Sequence, residues 1–131
     1  MPKIYLSPST QDWNMYVTGS GSEEYNMNLL ADALVPYLLS NGIQYQRNRP
    51  EMTAGSSIRE ANQGEYDLYL ALHSNAAPEG RYGEERGIIA FYYPGSVGGQ
   101  RAAELIAQEL RKIYPLPNKV TTRPTTSLGE V

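Results

Sequence analysis

The sequence predicts an α/β fold, a three-layer sandwich with a mostly parallel or mixed central sheet and helices on both faces. Three observations point there. Strand-like and helix-like segments follow one another as strand, helix, strand, helix, strand, strand, helix. One of them, Tyr66 to Leu72, is almost continuously apolar or aromatic, as a central strand covered on both faces would be. Two further segments repeat apolar residues at helical spacing over several turns. At 131 residues the length fits a single domain, 1–131.

Each element has its own signal. Lys3 to Leu6 is a β-branched and aromatic run that stops at Ser7-Pro8, predicting the first strand. A polar loop follows as far as Ser22, with Gly19 and Gly21 near its end. Ser20 and Glu23 then form a capping-box pattern. Met27, Leu30, Ala31, Leu34, Val35 and Leu38 recur at helical spacing until Asn41-Gly42 supplies a stop. Pro36 inside this helix removes a hydrogen bond to the Asp32 carbonyl and predicts a bend.

Ile43 to Arg47 predicts a second strand, Ser56 to Asn62 a short helix before Gly64, and Gly87 to Tyr93 a strand closed by Pro94-Gly95. Arg101 to Tyr114 is amphipathic, with Ala102, Leu105, Ile106, Leu110 and Ile113 on one face. From Pro115 to Val131 the chain is Pro- and Thr-rich, and no further strand or helix is expected.

Composition excludes several functions. Eleven basic residues against fourteen acidic ones give a net charge of −3 with the signs interspersed. Such a surface does not attract phosphate backbones or anionic lipid, so neither nucleic acid nor membrane is an expected partner. The absence of cysteine removes disulfides, thiolate nucleophiles and cysteine-based zinc sites. No charged leader precedes an apolar run, so no signal peptide is expected, and no stretch is long enough to span a bilayer. Eleven tyrosines against one phenylalanine and one tryptophan suit half-buried strands, and equally a surface that binds sugars or peptides.

In open α/β sheets the functional crevice lies beyond the carboxyl ends of the strands. The first strand empties there into its loop, the first helix presents Glu23 and Glu24, and the central strand ends on His73, Ser74 and Asn75. His73 is the only histidine in the chain. A carboxylate from a helix start facing an imidazole from a strand end is how a mononuclear metal site is assembled from distant segments. The same residues have plainer roles: His73 as a hydrogen-bonded strand-end residue, the glutamates as complements to the helix dipole, and HSNAAP as an Asx turn. No serine stands in a nucleophile-elbow context, and no phosphate-binding glycine motif is present.

Several segments together resemble a known family. KIYLSPST, Glu24 to Asn28 within EEYNMNLLADAL, QYQRNRP, SSIREANQGEYDLYLALHSNAA and GIIAFYYPGSVGGQRAAELIAQEL are similar, in type and order, to the zinc-dependent N-acetylmuramoyl-L-alanine amidases of the amidase-3 type. The resemblance implies a hydrolase of peptidoglycan catabolism, an autolysin that cleaves the bond between N-acetylmuramic acid and L-alanine with zinc-activated water. It implies that His73 and Glu24 ligate Zn. The family's other histidine follows the first strand, where this chain has Ser7-Pro8-Ser9-Thr10, so Gln11, Asp12 or Asn14 are the candidates to supply an oxygen instead, directly or through water, Asp12 being the better zinc ligand on charge. Similarity to a branch sharing SPSTQ favours Gln11 or Asn14.

The family's catalytic glutamate lies in a closing strand, and Glu130 in LGEV stands too early to be that residue. No catalytic residue is therefore assigned. The chain reads as lacking the closing strand and final helix, with weak or absent activity expected. The alternative is a non-catalytic peptidoglycan- or muropeptide-binding module whose tyrosine-rich crevice grips without cleaving. Asn75 beside the ligand, and Arg47 with Arg49 after the second strand, are candidate substrate contacts; a turn role and solvated loop charges explain them as well. The function implies the cell wall or extracellular space, reached by lysis or in a sporulating cell. An unpaired sheet edge would invite a homodimer.

Overall fold

The computed structural model describes residues 2–12, 15–16, 19–49, 51–74 and 87–128. It contains β1 (Lys3–Pro8), α1 (Glu23–Ser40), β2 (Gln44–Arg47), α2 (Ala54–Gln63), β3 (Leu68–Leu72), β4 (Ile88–Tyr92), α3 (Val97–Arg111) and β5 (Val120–Pro124), with a 3-10 turn at Pro117–Lys119. This is the expected α/β class, with parallel strands and helices in the expected order. The chain forms two compact units, one built on β1 to β3 with α1 and α2, the other on β4, β5 and α3.

In the first unit the strands run parallel in the order β2-β1-β3. Alternation along β1 sends its side chains to two different helices. Ile4 and Leu6 join Ala31 and Leu38 of α1 in an apolar core, with Leu34, Val35, Tyr45, Leu68 and Leu70 packed around it. On the opposite face Tyr5 is fully buried, stacked on Tyr69 with ring centroids 5.4 Å apart and donating from its hydroxyl to Glu60 Oε1 of α2 at 2.8 Å. Ser7 Oγ accepts from the Tyr69 hydroxyl at 2.9 Å and from Asn48 Nδ2 at 3.1 Å. One face of the sheet is thus held by apolar burial, the other by aromatic rings and a hydroxyl–amide network.

β1 runs two residues past its expected stop, pairing Ser7 with Ala71 and Pro8 with Leu72. Its pairing with β2 has already ended at Leu6 and Arg47, so Pro8 needs no N–H on that side. α1 begins later than its capping-box pattern suggests. Ser22, not Ser20, is the N-cap, its Oγ accepting from Tyr25 N at 3.1 Å. Thr53 and Ser56 form a capping box that starts α2 at Ala54 rather than Ser56.

In the second unit β4 and β5 pair in parallel from Ile88 with Val120 to Tyr92 with Pro124. Ala103 and Ala107 of α3 and Val120 of β5 are buried. The expectation of no strand after Tyr114 is overturned by β5. Its Val-Thr-Thr core is β-branched and extended, a signal masked by the prolines around it. α3 starts at Val97 rather than Arg101 because Ser96 Oγ caps Gly99 N at 3.1 Å, carrying the helix through Gly98-Gly99. No helix among the described residues is long and apolar enough to cross a membrane.

Candidate functional site

β1 and β3 end level with each other, and Ser9 N donates to Leu72 O at 2.9 Å just beyond the last paired residues. The next residue after β3 is His73. Asn48 leaves β2 at the same edge, where its Nδ2 reaches Ser7 Oγ, Pro8 O at 3.0 Å and Ser57 Oγ at 3.2 Å. The first turn of α1 is brought in by Gln11, whose carbonyl accepts from Glu24 N at 3.3 Å. Together these place Glu23 Oε2 3.0 Å from His73 Nδ1.

Glu23 is 1% exposed, whereas about a third of the His73 side chain, 31%, reaches solvent. A buried carboxylate requires a donor or a cation, and the imidazole supplies one. The pairing fixes the ring orientation of His73, as carboxylate partners of histidine commonly do. His73 borders a cleft of about 260 Å³ lined by Ser7, Pro8, Ser9, Thr10, Gln11, Asn48, Met52, Thr53 and Ala54.

The polar network on the α2 face supports this cleft from below. Burial, then the bond to Glu60, pushes the Tyr5 hydroxyl above its usual range. The Tyr5 hydroxyl, and after it Arg49, hold the Glu60 carboxyl below its usual range. Arg49 bridges Glu60 at 3.1 Å and Glu51 at 3.0 Å, so it is a lock between the β2 exit and α2.

Of the expected ligands, His73 and Gln11 share the cleft. Glu24 does not join them. It lines a separate cleft of about 380 Å³ with Tyr25, Asn28, Leu29, Asp32 and Arg47. The carboxylate beside His73 is Glu23 rather than Glu24, a correction. Glu23 lies four and Glu24 three residues before Met27, so helical phase puts both near the inward side and only the contact between distant segments separates them.

Arg47 also lies in the second cleft, away from His73. It donates to Asp32 Oδ1 at 2.7 Å and to Asn28 Oδ1 at 2.8 Å, clamping β2 to α1. Asp12 is exposed on a turn. Asn14, Asn75 and Glu130 lie outside the described residues. One contact was not anticipated: the Tyr16 hydroxyl bonds Ser74 Oγ, next to His73. An antiparallel bridge between Met15 and Ser22 holds the loop that carries it.

Imidazole nitrogen and carboxylate oxygen are both zinc donors, and donors sharing one tetrahedral zinc stand roughly 3.3 Å apart. The His73–Glu23 separation of 3.0 Å is close to that spacing. Among the described residues no group of three His, Cys, Asp or Glu side chains converges on one point. Zinc would take the place of the proton between Nδ1 and Oε2, so the pair fits two positions of a zinc shell in exchange for its hydrogen bond, and the Gln11 amide is the remaining expected ligand on the cleft wall.

No protein-family model matches the sequence, and no curated protein matches it. The structure is similar to that of the N-acetylmuramoyl-L-alanine amidase AmiC2 of Nostoc punctiforme, with a TM-score of 0.74 over 95% of this chain and 69% of that one. Sequence identity across that superposition is 13%, so what the two chains share is a fold.

Proposed function

We propose that this chain is a peptidoglycan-directed domain of the N-acetylmuramoyl-L-alanine amidase type, with a zinc site at the carboxyl edge of the β2-β1-β3 sheet. The observation that carries the reading is the buried Glu23 carboxylate 3.0 Å from His73 Nδ1. The similar fold of an amidase supports it.

His73 and Glu23 would hold the metal, with Gln11 or Asn14 as the neutral oxygen donor. Zinc there would polarise the substrate amide carbonyl and acidify a bound water. The chain's own residues supply the rest. Glu23 sits in the first turn of α1, where the helix dipole stabilises its negative charge. Thr10 on the cleft wall offers a hydroxyl to the hydrogen-bonding groups of a muropeptide, while the buried Ser7 and Asn48 hold the wall behind it.

A second reading is a muropeptide-binding module without hydrolysis. It is favoured by the absence, among the described residues, of a third His, Cys, Asp or Glu beside the pair. A muramyl peptide incubated with the zinc-loaded protein separates the two. Peptide released with a free L-alanine amino terminus, and lost in His73→Ala, supports the amidase. Saturable binding without release supports the module. Neither binding nor release contradicts both.

A further inference from the structure

Two consecutive residues at the start of α1 are tied to two consecutive residues after β3. Glu23 meets His73 directly, Oε2 to Nδ1 at 3.0 Å. Their neighbours, Ser22 and Ser74, are joined through the hairpin that precedes α1. Ser22 forms an antiparallel bridge with Met15. The next residue, Tyr16, donates from its backbone N to Gly21 O at 2.9 Å, and its side-chain hydroxyl bonds Ser74 Oγ.

The hairpin is held by its own backbone. Gly19 N donates to Tyr16 O at 3.1 Å, and Gly19 and Gly21 take φ of +75 and +102, a region open to glycine. Ser22 is at once the bridge partner of Met15 and the N-cap of α1. A shift of Tyr16 is therefore passed to Ser22, and from there to Glu23. The two ties respond differently to a metal. Once the proton between Nδ1 and Oε2 gives way to zinc, the direct contact is no longer a hydrogen bond, whereas the Tyr16 tie uses neither donor atom and is unaffected. Ligands already held in place bind more tightly, because little ordering is left for the binding step.

We propose that Tyr16 is a positioning residue for the His73–Glu23 pair: its hydroxyl, bonded to Ser74, holds the start of α1 against the end of β3 at the spacing a zinc ion needs. This rests on the zinc reading of the pair, and adds to it the residue outside the ligands that sets the affinity.

Titration of the metal-free full chain with zinc, against a competing chromophoric chelator, tests it. Tyr16→Phe and Ser74→Ala are each expected to weaken zinc binding by about 10- to 100-fold, the usual effect of removing a group that orients ligands. The double variant should lose no more than either single one, since both break the same bond. Ser74→Thr, which keeps the hydroxyl, should bind zinc like the wild type. Urea midpoints without metal should barely move in Tyr16→Phe, because both hydroxyls are only part-buried and water replaces the lost partner. Equal zinc affinity in the wild type and Tyr16→Phe overturns the proposal alone. So does a loss matched by a fall in the metal-free urea midpoint, or a double variant whose loss is the product of the two single ones. A wild type that takes up no zinc overturns the zinc reading, and the proposal with it.

Discussion

Glu23 Oε2 and His73 Nδ1 lie 3.0 Å apart although fifty positions separate them in the chain. The contact exists because β1 and β3 end level with each other and because Gln11 draws the first turn of α1 to that edge. Replacing His73 by Ala removes a donor from a buried carboxylate, and a loss of about 1–2 kcal/mol is expected in urea unfolding. Replacing Glu24 by Gln, at a half-buried position in the other cleft, is expected to cost less than about 0.5 kcal/mol.

Arg47 distinguishes a clamp from a substrate contact. Arg47→Ala breaks its bonds to Asp32 and Asn28, and a stability loss of about 1–2 kcal/mol is expected by the same measurement. Zinc uptake by the folded variant should equal that of the wild type, because Arg47 does not line the His73 cleft.

Asn48 is a buried amide whose Nδ2 meets three oxygens. Asn48→Ala should cost about 2–3 kcal/mol by leaving those groups unmet. Asn48→Asp should cost more at neutral pH, because it can place a carboxylate oxygen against the Pro8 carbonyl. Its stability should recover as pH falls and that carboxylate is protonated.

Stability against pH should form a plateau bounded by Glu60 and Tyr5. The Glu60 carboxyl is held low in the folded state, so its contribution is full at neutral pH and is lost as pH falls through that lowered value. The Tyr5 hydroxyl is held high, so its contribution is full below about 10, the ordinary tyrosine value, and declines as pH rises above it. Tyr5→Phe removes the shared hydrogen bond, and urea midpoints across pH should show both limbs flattened.

Gly87, just before β4, has φ +139, and a Cβ there would stand 2.5 Å from the Lys119 carbonyl oxygen. Gly87→Ala should therefore destabilise the β4–β5 pair by more than about 1 kcal/mol, through strain and a backbone clash together. Thermal melting followed by circular dichroism reads the effect.

Much of this architecture is legible from residue spacing. The 3.6-residue repeat of Met27, Ala31, Leu34 and Leu38 identifies α1, and the apolar run ending at Leu72 identifies the strand that presents His73. What escaped depends on contacts between distant segments. β5 looks like a proline-rich tail until its Val-Thr-Thr run is paired with β4. Ser22 and Thr53 become caps through bonds to backbone N–H groups that weaker local patterns do not specify. The exchange of Glu24 for Glu23 is of the same kind, because both glutamates lie near the helical phase of Met27 and Ala31 and the contact with His73 alone separates them. The bond from Tyr16 to Ser74 spans 58 positions and has no local signal.

The central claim is that His73 and Glu23 hold a zinc ion at the carboxyl edge of the sheet. A crystal of zinc-loaded protein, measured on both sides of the zinc absorption edge, tests it most directly. The account predicts one anomalous peak bonded to His73 and Glu23, absent in His73→Ala. A peak bonded to Glu24 without His73, or no peak in a zinc-saturated crystal, would contradict it.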